Sequence, residues 1–228
     1  MRSLLCAALT VPILLAACGR PLTESEMALL APIHGETLDT GPVRLAANPL
    51  VGLVPLNYPV RPRTTCRERI APPVEGPIVE GRAGGVVLFE TLFLNPDVDR
   101  PNFALEPLNL GAAMFLVHEM THVWQWQNSG LTGYTPWRVA AEHVRSVDPY
   151  LYDPADPREF LDFGYEQQAI LVEEYLCCAV LDPEGVRTVQ LYDLLSDVMP
   201  VARPPAFERA VLLPWDGVQL EGICAAPE

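Results

Sequence analysis

The chain has 228 residues, with 15 Arg, no Lys, 29 acidic residues and four His, for a formal net charge of −14. Half of the residues are hydrophobic, which excludes a largely disordered polypeptide and allows a sizeable core. The acidic balance argues against nucleic acid as a partner, because affinity for a phosphate backbone rests on clustered cations.

The chain opens with Met1-Arg2-Ser3, then an uncharged apolar run from Leu4 to Ala17, then Cys18. This is the pattern of a secretory signal with a cysteine at its cleavage site. Leu15-Ala16-Ala17-Cys18 resembles the lipobox of bacterial lipoproteins. That resemblance implies a signal peptide over 1–17, lipidation of Cys18 and a short lipid-anchored tether over 18–21. The anchor would attach the chain to a membrane through several acyl chains. Gly19, rather than Asp, at the second position follows the sorting pattern of the outer membrane. The expected place is the bacterial cell envelope, lipid-anchored, at the outer membrane facing the periplasm. After residue 20 no apolar run is long enough to span a bilayer.

Export also sets the reading of the remaining cysteines. Cys66, Cys177, Cys178 and Cys224 would meet an oxidising compartment, which suggests two disulfides with three possible connectivities. A bond between the adjacent Cys177 and Cys178 would be strained. The expectation is that each of these two reaches a different distant partner, tying Cys66 and Cys224 to one helix. No CxxC pair supports a zinc site built from them.

Along the folded part, Thr23-Glu24-Ser25-Glu26 fits a capping box, so a short helix should run to about Leu30 and stop near Pro32. Val43-Arg44-Leu45 reads as a short strand. Residues 46–80 are rich in Pro and Gly and read as an irregular connection. Gly84 to Leu94 is β-branched and aromatic and reads as one strand. Leu110 to Gln127 predicts a helix apolar nearly all round, hence buried, closed by Asn128-Ser129-Gly130. A short helix follows from Trp137 to about Ser146, and Asp148 to Pro157 reads as loop. Phe160 to Leu181 predicts a second long helix with a possible break at Gly164, and Val186 to Val198 a third. Strands early and helices late imply an α+β domain over 22–198, with a small early sheet packed on a helical half. Residues 199–228 read as a Pro-rich C-terminal tail over the surface, with Cys224 as its point of attachment.

The chemistry sits in the buried helix, in His118-Glu119-Met120-Thr121-His122. Histidines at i and i+4 lie one turn apart on one face, so both imidazoles can reach one Zn2+ ion. Glu119, beside the first ligand, can act as general base on a water at the open position. At this His and Glu content the pattern arises by chance with a probability of roughly 0.5%. Two His and a Glu on an apolar helix would also be costly without partners. The usual catalytic set adds a third protein ligand. Gln125 and Asn128 occupy the positions where a metzincin needs Gly and His, which excludes that class. His143 and Glu142 are possible third ligands. The favoured position is Glu166, in the run Tyr165-Glu166-Gln167-Gln168-Ala169-Ile170-Leu171-Val172-Glu173-Glu174-Tyr175, since a carboxylate on a helix packed against the His pair completes a gluzincin set. Glu173 or Glu174 are alternatives, or orient the ligands. Tyr150, Tyr152 or Tyr165 could donate to an oxyanion, and Arg138 or Arg145 could bind a substrate carboxylate.

His118 to Gln127, the Tyr-Glu-Gln-Gln run and the early Leu22-Thr23-Glu24-Ser25-Glu26 helix resemble an uncharacterised bacterial zincin-like family, some of whose members are labelled Vgr-related. The likeness runs in patches from about 22 to 180. It implies a zincin-like fold with the HExxH helix in the core, and it matches Glu166 to the third ligand. The lipobox, the cysteines and the Pro-rich tail depart from it. The function expected is a lipid-anchored, zinc-dependent metallopeptidase-like hydrolase acting on a peptide or protein substrate. One alternative is a catalytically silent envelope lipoprotein that uses the scaffold to bind a partner. Another is a metal-dependent amidase of cell-wall peptide. An intact Glu119 favours catalysis.

Overall fold

The architecture is built around the apolar helix Leu110–Gln127, which lies between the helix Glu24–His34 on one side, the helix Tyr165–Leu181 on another and the strand Gly85–Leu88 on a third. The computed structural model describes residues 19–226. The expected signal segment and Cys18 lie outside the described residues.

Helix α1 covers Glu24–His34, and its capping box is made: Thr23 Oγ1 accepts the Glu26 N–H at 3.2 Å and Glu26 Oε2 accepts the Thr23 N–H at 2.8 Å. The helix continues through Pro32 and does not stop there. Proline withholds one N–H, but the Gly35 N–H closes the last turn on the Ala31 carbonyl, and Ile33 and His34 are fully buried. Packing outweighs the missing bond.

The main sheet has the order β1-β5-β4. Strand β1 (Arg44–Ala47) is parallel to β5 (Thr91–Leu94), and β5 is antiparallel to β4 (Gly85–Leu88). The apolar run 84–94 is therefore a hairpin rather than one strand. Its turn is Phe89-Glu90, with Phe89 at a φ of 58°, a conformation that such turns normally give to glycine. Contacts outside the hairpin hold it. The Phe89 ring meets Trp126 edge-on at 4.7 Å, and Trp126 Nε1 donates to Glu90 Oε1 at 3.1 Å.

The Pro- and Gly-rich connection holds more order than its composition suggests. Strand β2 (Leu56–Pro59) pairs antiparallel with β3 (Ile78–Gly81), and a short helix α2 (Cys66–Ile70) lies between them. Strand β6 (Leu108–Asn109) then leads into α3 (Leu110–Gln127), whose first turn is capped by Asn109 Oδ1 accepting the Ala112 N–H at 3.0 Å. Short α4 (Ser129–Thr132) and α5 (Pro136–Arg145) follow. The break at Gly164 is the N-cap of α6 (Tyr165–Leu181), preceded by a single 3₁₀ turn at Phe160–Asp162; α7 spans Val186–Ser196. The chain is α+β, with a small sheet and several helices.

The segment after Val198 belongs to this body rather than draping over it. Met199, Val201, Phe207, Ile223 and Cys224 are buried in the common core, and β7 (Val211–Leu212) pairs in parallel with β6. Cys66 pairs with Cys177 and Cys178 with Cys224, at Cα–Cα distances of 6.1 and 5.7 Å. Adjacent positions on α6 thus fasten α2 on one side and the tail on the other. Among the described residues no helix is long and apolar enough to cross a membrane.

Candidate metal centre

Helix α3 is buried nearly all round, so its polar residues must find partners inside the protein. Helix α6 packs along it and supplies them. His118 Nε2 and His122 Nε2 each lie 3.2 Å from the same atom, Glu166 Oε2. The other ring nitrogens are held elsewhere. His118 Nδ1 is 3.2 Å from Glu173 Oε2, and His122 Nδ1 is 2.8 Å from Gln125 Oε1. In a neutral imidazole only one nitrogen carries a proton. With Nδ1–H donating to Glu173 and Gln125, both Nε2 lone pairs face a carboxylate oxygen. Lone pairs converging on one point are satisfied by a cation, and two imidazoles with one carboxylate are a donor set that suits zinc. The three candidate ligand atoms lie within 4.8 Å of one another.

The same carboxylates favour positive charge at these rings. Burial alone would push the His118 imidazolium down, yet Glu166 and Glu173 reverse this and hold it up at about 10. His122 is raised in the same sense against its burial, by Glu166. Glu166 itself stays well below the usual carboxylate range, its burial outweighed by His122, His118 and His143. The cluster draws in positive charge, whether proton or metal.

The supporting residues form two chains. Arg67 of α2 donates from Nη1 to Glu173 Oε2 at 3.2 Å, so the orienter of His118 is itself paired. Gln125 donates from Nε2 to the Tyr165 carbonyl at 3.0 Å and to Gln168 Oε1 at 2.9 Å, and Gln168 donates on to the Phe163 carbonyl at 2.8 Å. Glu173 is thus an orienter, while Glu174 turns away to a buried pair with Arg187 at 3.3 Å.

Glu119 is buried beside the pair, and among the described residues no side chain hydrogen-bonds its carboxylate. Burial raises its pKa, the two imidazoles oppose this, and Glu166 and Glu173 add to it. Strand β4 passes close above it: a Cβ built on Gly85 would sit 2.7 Å from Glu119 Oε1. Glycine is what lets the backbone approach.

Two phenols flank the centre. Tyr150 lies 5.9 Å from the His118 ring and 5.6 Å from the His143 ring, and Tyr134 lies 6.2 Å from His122. Burial first, then Glu166 and Glu119, raise both phenols, so they remain O–H donors. Tyr134 escaped the sequence reading, since a single Tyr between two short helices carries no pattern. The other tyrosines considered there point elsewhere. Tyr152 Oη accepts from Arg187 Nη2 at 3.3 Å, and Tyr165 Oη donates to the Thr132 carbonyl at 3.3 Å. Arg138 donates to the Gly133 carbonyl at 2.8 Å. His143 and Glu142, weighed as ligands, both meet Glu166 from outside the His pair.

No protein-family model and no curated protein matches the chain. Among solved structures it is similar to the effector domain of Pseudomonas aeruginosa VgrG2b, with 22% identity and a TM-score of 0.50, over 81% of this chain and 86% of that one. At that identity the likeness concerns the fold: the α+β arrangement is one that a Vgr-related effector domain also adopts.

Proposed function

We propose that the protein is a zinc-dependent metallopeptidase-like hydrolase with a zincin-like fold, anchored by lipid at Cys18 in the bacterial envelope. The observation that carries the reading is the convergence of His118 Nε2 and His122 Nε2 on Glu166 Oε2, each at 3.2 Å, with both Nδ1 atoms already engaged. His118, His122 and Glu166 would hold the metal. Zinc held there supplies Lewis acidity, lowering the pKa of a water and polarising a carbonyl.

The chain's own groups do the rest. Glu119, with its affinity for protons raised by burial, takes a proton from the attacking water and passes it to the leaving nitrogen. Tyr134 and Tyr150 donate hydrogen bonds to the oxygen of the tetrahedral species. In the sheet order β1-β5-β4, β4 forms an edge next to Glu119, and an extended peptide can add to it as a further strand.

The likeness to an effector domain, at 22% identity, bears on the fold and selects no substrate. The remaining alternative keeps the scaffold without catalysis, for partner binding.

The test joins metal analysis to two variants. Purified protein should hold about one zinc per chain. Glu119→Gln should keep zinc and thermal stability near wild type while hydrolysis of a peptide library falls by ~10²–10⁴-fold, the usual loss of general-base help. His118→Ala should lose the metal itself. Equal cleavage by Glu119→Gln and wild type would remove Glu119 from its role, and absence of zinc after refolding with zinc would remove the whole reading.

A further inference from the structure

Helix α5 is an exposed element with an unusual set of attachments. Pro136 is its one buried residue, so apolar packing holds it weakly. Beside the bonds of Arg138 to Gly133 and Tyr165, two consecutive side chains tie it to the start of α6. Glu142 Oε1 accepts the Tyr165 N–H at 3.0 Å and its Oε2 accepts the Glu166 N–H at 3.3 Å. His143 Nε2 lies 2.8 Å from Glu166 Oε1. The first contact answers a local need. The N-cap of α6 is Gly164, which has no side chain to satisfy the first N–H groups of that helix, and a carboxylate at a helix N-terminus does so with favourable charge. The second contact has no such need, since the body of Glu166 is already fixed by α6.

We infer that His143 is a positioning residue that keeps Glu166 one-handed, occupying Oε1 so that only Oε2 is offered to the metal. The inference rests on the metal-centre reading. A carboxylate can bind a cation through one oxygen or both. With the His143 N–H donating to Oε1, the lone pairs of that oxygen are engaged by a short, charge-assisted bond. Oε2 alone faces His118 and His122, and one coordination position stays open for water, as catalysis requires. Without His143, Oε1 is free to rotate in and close that position. A side chain that is a third exposed, at 33%, can be exchanged without emptying the core.

The experiment uses cobalt(II) as the probe, read by its visible absorption, which is strong for four-coordinate sites and weak for higher coordination. It is paired with zinc affinity measured by competition with a chelator. Wild type should give the strong spectrum. His143→Ala should give a weakened one, with zinc affinity lowered roughly 10–100-fold, the usual effect of losing a ligand's hydrogen-bond partner. His143→Gln, whose amide N–H can still donate to Oε1, should keep most of both; if His143→Ala fails to fold, His143→Leu, which fills the space without a donor, is read in its place with the same weakened spectrum expected. A wild-type spectrum and affinity in His143→Ala would overturn the inference and leave the metal centre standing. Equal loss in His143→Gln and His143→Ala would also overturn it, because donation to Oε1 would then not be what matters. Wild type that takes up neither cobalt nor zinc would overturn the metal centre and the inference with it.

Discussion

His122 shows how much a single residue's surroundings contribute to the centre. Its Nδ1 proton is accepted by Gln125, which is fully buried and also donates to the Tyr165 carbonyl and to Gln168. Replacing it by leucine keeps the volume and removes every one of these bonds, leaving buried donors and acceptors unmet at about 1–3 kcal/mol each. Gln125→Leu should therefore lower stability by at least about 1–3 kcal/mol and weaken zinc binding roughly 10–100-fold through the loosened imidazole. Denaturant unfolding and chelator competition would measure the two; unchanged zinc affinity would show that Gln125 does not set the ring. At this scale much was legible. HExxH names His118, Glu119 and His122 by local spacing, and Glu166 stands out as a carboxylate on the facing helix. Arg67 was not legible, because it lies 106 residues from Glu173 and nothing local to either residue announces the pair.

The element that brings Arg67 to the centre is α2, five residues long. A helix of that length does not hold itself, and its cysteine is bonded to Cys177 of α6 across 111 residues of sequence. The order is causal: the crosslink fixes Cys66, its neighbour Arg67 then reaches Glu173, and Glu173 holds His118. The double variant Cys66→Ser with Cys177→Ser should lose about 2–4 kcal/mol of stability, as expected for opening a long closed loop. It should also bind zinc more weakly. The matching pair Cys178→Ser with Cys224→Ser should lose stability without that loss of affinity, since Cys224 fastens the tail beside Arg187 and Glu174 rather than the ligands. Equal zinc affinity in all three proteins would break the proposed link from α2 to His118. Elements with strong periodicity were legible, above all α3 and α6. The hairpin of β4 and β5 was hidden because its turn residue, Phe89, is held in a glycine-like conformation by Trp126, 37 residues away. The lobe around α2 was hidden because a disulfide and its few contacts stand in for local propensity.

For the molecule as a whole, the balance between folded and unfolded states carries a mark of α1. His34 ends that helix, is fully buried, and lies with Nε2 3.2 Å from Thr121 Oγ1, which donates its own proton to the Val117 carbonyl. The imidazole must then donate, and it is neutral: burial pushes its pKa down to about 3 from 6.5. Unfolded, the same group takes a proton near its ordinary value. Between about pH 6.5 and 3 the unfolded chain therefore binds more protons than the folded one, and stability rises with pH across that window. Stability present above 6.5 is lost on acidification at up to ~1.4 kcal/mol per pH unit, about 2 kcal/mol by pH 5. The overall charge works the other way. At −14 near neutrality, mild acid relieves self-repulsion, so the net charge does not explain an acid-sensitive fold. His34→Gln keeps a donor for Thr121 and cannot titrate. Urea unfolding from pH 8 to 4.5 should show wild type losing stability toward acid and the variant losing about 2 kcal/mol less by pH 5. Parallel curves for the two proteins would mean that His34 is charged or exposed in the folded state, and that α1 does not seat on α3 as described.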